Sequence, residues 1–231
     1  MKYLLVGGNS VIGTSLIKSL LEKGHTCYVI SRSELEIKDE NILFRQLNIA
    51  EEDFPADFLP EELDGMVYLP GTINLKPFRT LKPEAFQEAI DINFLGAVKS
   101  IQAAEASLKK SEGAGIVLFS TVAVQTGMPF HAAVASAKGA VEGLTRSLAA
   151  EFAPGIRVNC IAPSLTKTKM AERFLSNEAK IEASQNRHPL KEVGDPEDLA
   201  KMAEYLLSKD AKWISGQIIG IDGGIGSLRT N

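Results

Sequence analysis

The first segment able to do chemistry is a glycine-rich turn, Gly7-Gly8-Asn9-Ser10-Val11-Ile12-Gly13-Thr14. It follows a short apolar run and leads into Leu16, Ile17, Leu20 and Leu21 at helical spacing. Such a turn at a helix start lets backbone N–H groups approach a pyrophosphate, where the helix dipole favours negative charge. A phosphate loop of the Gly-x-x-x-x-Gly-Lys kind would need Lys after Gly13, where Thr14 stands, and Gly-x-Gly-x-x-Gly is not matched either. Three further positions carry polar groups in telling places. Arg32 follows Val29-Ile30-Ser31, at a strand end where an acid would bind a ribose 2′-hydroxyl and a base a 2′-phosphate. Asn93 interrupts an apolar helical stripe, and a buried amide needs partners. Lys138 stands among Ala135, Ala137, Ala140 and Val141, whereas a lone helical Lys usually belongs to a solvated face.

These residues must be positioned by an alternation of strand-length and helix-length segments. Strands are expected at Tyr3 to Val6, Cys27 to Ile30, Ile42 to Leu47, Met66 to Leu69, Ile116 to Phe119, Arg157 to Ile161 and Gln217 to Ile221. Helix-length connections between them predict an α/β fold, a doubly wound Rossmann-like parallel seven-stranded sheet with helices on both faces. One helix reads clearly: Ile90, Phe94, Val98, Ile101 and Leu108 form an apolar stripe that Glu105 interrupts, and Pro83 suits the first turn. Another opens at Asp195, a capping residue, with Pro196 at the first helical position. Ligands of such a sheet bind at the carboxyl ends of its strands.

A chain of 231 residues suits one domain, 1–231, with no repeat or linker. The net charge of −4 and scattered Lys and Arg give no footprint for nucleic acid. No apolar run approaches a membrane span or a signal-peptide core, so no membrane association and a cytoplasmic location are expected. Cys27 and Cys160 lie in apolar strand-like runs and read as reduced core residues, without partners for a disulfide or a metal.

With these motifs the chain resembles the short-chain dehydrogenase/reductase family, in particular its 3-oxoacyl-carrier-protein reductase-like members. The glycine-rich turn is similar to the family's Gly-x-x-x-Gly-x-Gly, with Gly7 and Gly13 retained and Val11 at the middle glycine. A Val there would crowd the cofactor phosphate or oppose a positive φ. The resemblance makes Gly7, Asn9, Ser10, Ile12 and Gly13 the phosphate turn, and Asn48-Ile49 the adenine neighbours in place of the family's Asp-Val. Gly71 is what remains of Asn-Asn-Ala-Gly in Tyr68-Leu69-Pro70-Gly71, and Asn93 is the helix-opening Asn of a proton relay. Thr121, thirteen residues before Val134, takes the place of the catalytic Ser. Lys138 takes the place of the Lys that holds the nicotinamide ribose, and Val134 the place of the catalytic Tyr. Pro163 and Thr168 match a Pro-Gly-x-x-x-Thr segment beside the nicotinamide, with Ser164 replacing its Gly. Residues 170–187 stand where relatives carry a mobile lid. The stretch from Trp213 to Gly224 matches the last strand and glycine pair, which commonly form subunit contacts.

The resemblance implies a nicotinamide cofactor, NADP(H) favoured over NAD(H) because Ser31-Arg32 replaces an acid, a small-molecule substrate, and a homodimer or homotetramer. It also implies an atypical site. Val134 can neither give nor accept a proton, and general acid–base catalysis is typically worth about 10²–10⁴-fold. The proton must then come from water or from His131, which lies in the same loop-to-helix segment and whose imidazole can both give and accept a proton. Two readings result: an oxidoreductase on a small hydroxy or keto compound, or a catalytically degenerate nucleotide-binding sensor or assembly protein.

Overall fold

The computed structural model describes residues 1–229. Seven strands run β1 (Lys2–Val6), β2 (Thr26–Ser31), β3 (Ile42–Gln46), β4 (Gly65–Tyr68), β5 (Ala114–Phe119), β6 (Ile156–Pro163) and β7 (Ile218–Ile221). All pair in parallel, in the order β3-β2-β1-β4-β5-β6-β7. The direction of winding reverses between β1 and β4, which opens a crevice at their carboxyl ends. The helices are α1 (Val11–Glu22), α2 (Pro83–Ile90), α3 (Gly96–Leu108), α4 (Val122–Thr126), α5 (Ala132–Phe152), α6 (Glu178–Arg187) and α7 (Pro196–Leu207). Every expected strand is present, to within two residues at either end.

Strand side chains alternate between the two faces, and each face is covered. Leu4, Met66, Ile116 and Val158 belong to one core with Ile101 and Leu108 of α3 and Val141 of α5. Leu5, Val67, Val117 and Ile161 belong to the other, with Leu16 and Leu20 of α1 and Leu199 and Leu206 of α7. Cys160 lies in the first core and Cys27 in the second, both as free thiols, and burial pushes each up to about 12. As expected, Asp195 caps α7, accepting from the Glu197 N–H at 2.9 Å, with Pro196 inside the first turn. No helix among the described residues is long and apolar enough to cross a membrane.

The helix expected to run unbroken from Pro83 is instead α2 and α3 joined by a π-helical turn, Asp91–Leu95. The wide turn rotates α3 relative to α2, so the first part of the expected stripe is displaced while Ile101 and Leu108 are buried as expected. Ile90, Phe94 and Val98 are half-buried, while Ala89, Asn93, Ala97, Ser100 and Ala104 face inward. Ala97 and Ala104 pack in the sheet-side core, while Ala89 packs against Ala133 and Ala137 of α5.

Candidate active site

At the carboxyl end of β1 the chain turns through Gly7, whose φ of +80° suits glycine, and a Cβ there would stand 2.9 Å from Pro70 Cδ. A Cβ on Gly13 would meet the Gly8 carbonyl oxygen at 2.6 Å, so the turn closes only with glycine at both places. Ser10 caps α1, its hydroxyl accepting from the Gly13 N–H at 3.1 Å. Val11 is the first residue of α1 and is not among the positive-φ residues, which removes the backbone conflict expected of it. Its side chain lies on the rim of an open cleft of about 590 Å³, lined also by Lys167, Thr168, Lys169, Leu175 and Ile181. The first N–H groups of a helix have no intrahelical partner, so this cleft joins orphan donors, two lysines and the Thr168 hydroxyl, with the Glu172 carboxylate also in its lining. Ile12 packs against the core on the α1 side.

The other end of a dinucleotide would lie over β2 and β3. Arg32 is exposed, and no ion pair holds it among the described residues. Beside it, Asn9 Nδ2 donates to Ser33 Oγ at 2.8 Å, Ser31 Oγ donates to the Ser33 carbonyl at 2.8 Å, and Gln46 Nε2 donates to the Arg32 carbonyl at 3.1 Å. Asn48 turns its amide oxygen to the Ala50 N–H at 3.3 Å. The Ile49 side chain belongs to the core, so it faces away from any adenine.

Lys138 is the centre of the site. It lies on α5, 8% exposed, with Nζ donating to the Phe119 carbonyl at 2.8 Å at the end of β5. No carboxylate forms an ion pair with it among the described residues, and burial pulls the ammonium down to about 8. A Cβ on Gly71 would lie 3.1 Å from Asn93 Oδ1 and 3.6 Å from Lys138 Nζ, so these three residues converge. Asn93 is fully buried in the π turn, donating to the Ala89 carbonyl at 2.8 Å and accepting from the Thr72 N–H at 3.4 Å. Tyr68 supports the same turn by donating to the Ile92 carbonyl at 2.6 Å.

Two adjacent hydroxyls follow β5, and the structure separates their tasks. Ser120 is buried and donates to Glu142 Oε1 at 2.8 Å. Thr121 is half-buried and caps α4 by accepting from the Ala123 N–H at 3.3 Å, which leaves its own proton for another acceptor. Val134, one turn before Lys138, is buried. His131 precedes α5 directly, after Phe130 at φ 70°. A carbonyl only accepts, so His131 Nδ1 donates to the Pro129 carbonyl at 2.8 Å, and the ring is tethered to its own turn. Thr168 Oγ1 reaches the Thr166 carbonyl at 3.4 Å and stays on the cleft wall.

Pro163 ends β6. Next to it stands a pair that the sequence did not disclose: Ser164 Oγ lies 2.8 Å from Nε2 of His188, which is 3% exposed. In the sequence Ser164 stands out only as a departure from glycine. His188, twenty-four residues on, carries no spacing signal.

This constellation defines a dinucleotide-binding oxidoreductase fold, and comparison with known proteins identifies its family. The model of the family described as "Enoyl-(Acyl carrier protein) reductase" matches residues 13–226. A 3alpha-hydroxysteroid dehydrogenase of Mediterraneibacter gnavus is 30% identical over 95% of this chain and 94% of its own. An "Inactive 2-(S)-hydroxypropyl-CoM dehydrogenase 2" of Xanthobacter autotrophicus is 33% identical over 72% of this chain and 74% of its own. A peroxisomal 2,4-dienoyl-CoA reductase of Saccharomyces cerevisiae is 34% identical over 66% of this chain, a match spanning about half, 52%, of that relative. Among solved structures, ElxO with NADP bound superposes with a TM-score of 0.87 at 27% identity, covering 98% of this chain and 99% of that one. A 4-hydroxyisoleucine dehydrogenase complexed with NADH does so with a TM-score of 0.87 at 26% identity, covering 99% and 100%. The chain belongs to the short-chain dehydrogenase/reductase family, whose fold carries NAD(P).

Proposed function

We propose that this protein is an NADP(H)-preferring oxidoreductase that interconverts a small hydroxy and keto compound without a catalytic tyrosine. The observation that carries the reading is Lys138. Holding an ammonium in an apolar helix face with one backbone carbonyl as partner is costly, and it converges there with Asn93 and Gly71. The donor set fits a nicotinamide dinucleotide: the α1 N-terminus and Thr168 for the pyrophosphate, Arg32 for a 2′-phosphate, Lys138 for the nicotinamide ribose. When bound, that cofactor supplies the redox equivalent. The chain's own residues do the rest: Thr121 donates a hydrogen bond to the substrate oxygen, Asn93 fixes the π turn, and Lys138 orients the ribose. Val134 takes the tyrosine's place and supplies no proton, which leaves water or His131 as the source expected from the sequence.

A second reading, a nucleotide-binding sensor or assembly protein, is favoured by the buried hydrocarbon of Val134 and by the similarity to a relative described as inactive. We read residues 1–231 as one cytoplasmic domain that forms a homodimer or homotetramer. Its single sheet with a core on each face supports one domain, and its exposed apolar residues beside β7 support assembly.

Thermal stabilisation by NADPH and NADH, paired with NADPH oxidation on small ketones by the natural chain and by Val134→Tyr, separates these readings. At about 100 times its dissociation constant a nucleotide adds ~2.7 kcal/mol. Stabilisation with turnover by the natural chain is expected. Stabilisation with turnover only in Val134→Tyr leaves the sensor, and no stabilisation by either nucleotide sinks both.

A further inference from the structure

We propose that Ser164, backed by His188, is the proton donor and acceptor of this site, a role that rests on the oxidoreductase reading. The pair is built as a relay. His188 Nδ1 lies 2.7 Å from the Ser184 carbonyl, which can only accept, so Nδ1 carries a proton. In the neutral ring Nε2 is therefore an acceptor, and it stands 2.8 Å from Ser164 Oγ. A hydroxyl, a base within hydrogen-bond reach and a third group that fixes the base's tautomer are the parts of an activated hydroxyl. The ring is locked as well as buried: Ser184 is on α6, and a Cβ on Gly223, which follows β7, would lie 3.3 Å from His188 Cδ2.

The strand that carries Ser164 adjoins the strand that leads to Thr121. Phe119 of β5 pairs with Ile161 of β6, and the Ser120 N–H donates to the Ile161 carbonyl at 2.7 Å. Thr121 and Ser164 therefore leave the carboxyl ends of adjoining strands, which lie about 4.8 Å apart in such a sheet. Ser164 is half-buried, whereas His188 behind it is closed off from solvent.

Reduction of C=O to CH–OH takes two electrons and two hydrogens. The nicotinamide dinucleotide supplies both electrons and the hydrogen at carbon, so one proton remains to be placed on oxygen. With His188 protonated at both nitrogens, Nε2–H donates to Ser164 Oγ and the Ser164 proton points outward. The O–H bond of Ser164 breaks as the proton joins the substrate oxygen, and the Nε2 proton moves to Oγ. His188 is left neutral with Nδ1–H and is recharged from solvent through Ser164. Oxidation runs the same steps backwards from the neutral ring. Ser164 is then a catalytic residue and His188 a positioning residue that acts through it.

The test uses the full chain in two ways. In the nucleotide-free protein, NMR of the histidine ring nitrogens is expected to show a proton on His188 Nδ1, in the neutral Nδ1–H tautomer or in the doubly protonated ring that reduction uses, with an Nε2 resonance that moves in Ser164→Ala. An Nε2–H tautomer overturns the relay. With NADPH and ethyl acetoacetate or cyclohexanone as probes, Ser164→Ala is expected to lower kcat by about 10²-fold or more, while the NADPH-induced rise in Tm is retained. His188→Ala is expected to lose as much and to recover part of it with added imidazole, which a purely structural role would not allow. Should His188→Ala fail to fold, Ser164→Gly joins Ser164→Ala in carrying the test. Full kcat in the Ser164 variants, or a loss confined to His131→Ala, overturns the relay and leaves the oxidoreductase reading standing. A natural chain that is stabilised by NADPH yet reduces no probe overturns both.

Discussion

At the scale of the residue, the cost of Lys138 is open to measurement. Its pKa falls from 10.5 to about 8 on folding, so between those values the unfolded chain holds a proton that the folded chain has lost. Stability rises with pH wherever the unfolded state binds more protons. The penalty is therefore full below pH 8 and fades as pH rises towards 10.5. At ~1.4 kcal/mol per tenfold step it amounts to roughly 3 kcal/mol. Lys138→Met removes it but leaves the Phe119 carbonyl without its donor, at about 1 kcal/mol. Denaturant titration should find the variant about 2 kcal/mol more stable at pH 7, with the advantage gone near pH 10 and NADPH binding weakened. A variant less stable at pH 7 would show that Lys138 supports the fold rather than a ligand. Arg32 admits a separate test. Arg32→Asp is expected to weaken NADPH binding at least tenfold, ~1.4 kcal/mol for a charge-assisted contact, and to spare NADH; equal losses for both nucleotides would remove the 2′-phosphate role. Asn93 and Lys138 could be read from the sequence because each is a polar group in an apolar periodic segment. His188 could not, since a histidine in a connecting segment looks the same whether it is solvated or sealed behind a serine.

At the scale of the element, the π turn between α2 and α3 shows where periodicity misleads. The count from Ile90 through Phe94 to Val98 assumes an even rise, and one wide turn brings Asn93 and Ala97 onto the buried face. The cause lies outside the helix. A Cβ on Gly96 would collide with Tyr68 Oη, which itself holds the Ile92 carbonyl. A strand residue thus fixes the helix, and local sequence does not record that contact. Gly96→Ala should cost about 1–3 kcal/mol by overpacking, and Tyr68→Phe should recover part of it, a coupling that a double-mutant cycle in urea would reveal. Strict additivity would disprove the contact. Arg157 ties β6 to α7 in the same long-range manner, donating from Nη1 to the Leu206 and Ala211 carbonyls and from Nη2 to those of Leu207 and Ser208. Arg157→Met leaves these acceptors without their donor and is expected to destabilise by about 2–4 kcal/mol, against a much smaller loss for an exposed cation such as Lys212→Met.

At the scale of the whole molecule, the seven strands were readable because a parallel sheet covered on both faces demands near-continuous apolar runs. What sequence alone leaves open is which edges of that sheet stay bare. β3 and β7 are the two edge strands. At β3, Arg45 is exposed and pairs loosely with Asp57 at 3.9 Å, the kind of charge that discourages edge-to-edge contact. β7 is flanked by apolar side chains instead. Trp213, shortly before it, is 96% exposed, and Leu190 and Leu228 lie by the loop after it, the Leu190 N–H donating to the Gly223 carbonyl at 3.1 Å and the Leu228 N–H to that of Gly224 at 2.9 Å. Several exposed apolar residues gathered beside an edge strand form the kind of patch that marks an association surface, and Trp is enriched among the residues that carry interface energy. If β7 is where copies meet, Trp213→Asp should lower the mass found by light scattering from an oligomer towards that of the 24.9 kDa chain, and should lower Tm in a concentration-dependent way. The Ser164–His188 relay would feel that change, because Gly223 both packs on His188 and anchors Leu190. A monomeric variant with unaltered kcat would separate assembly from catalysis, and an unchanged mass would move the interface away from β7.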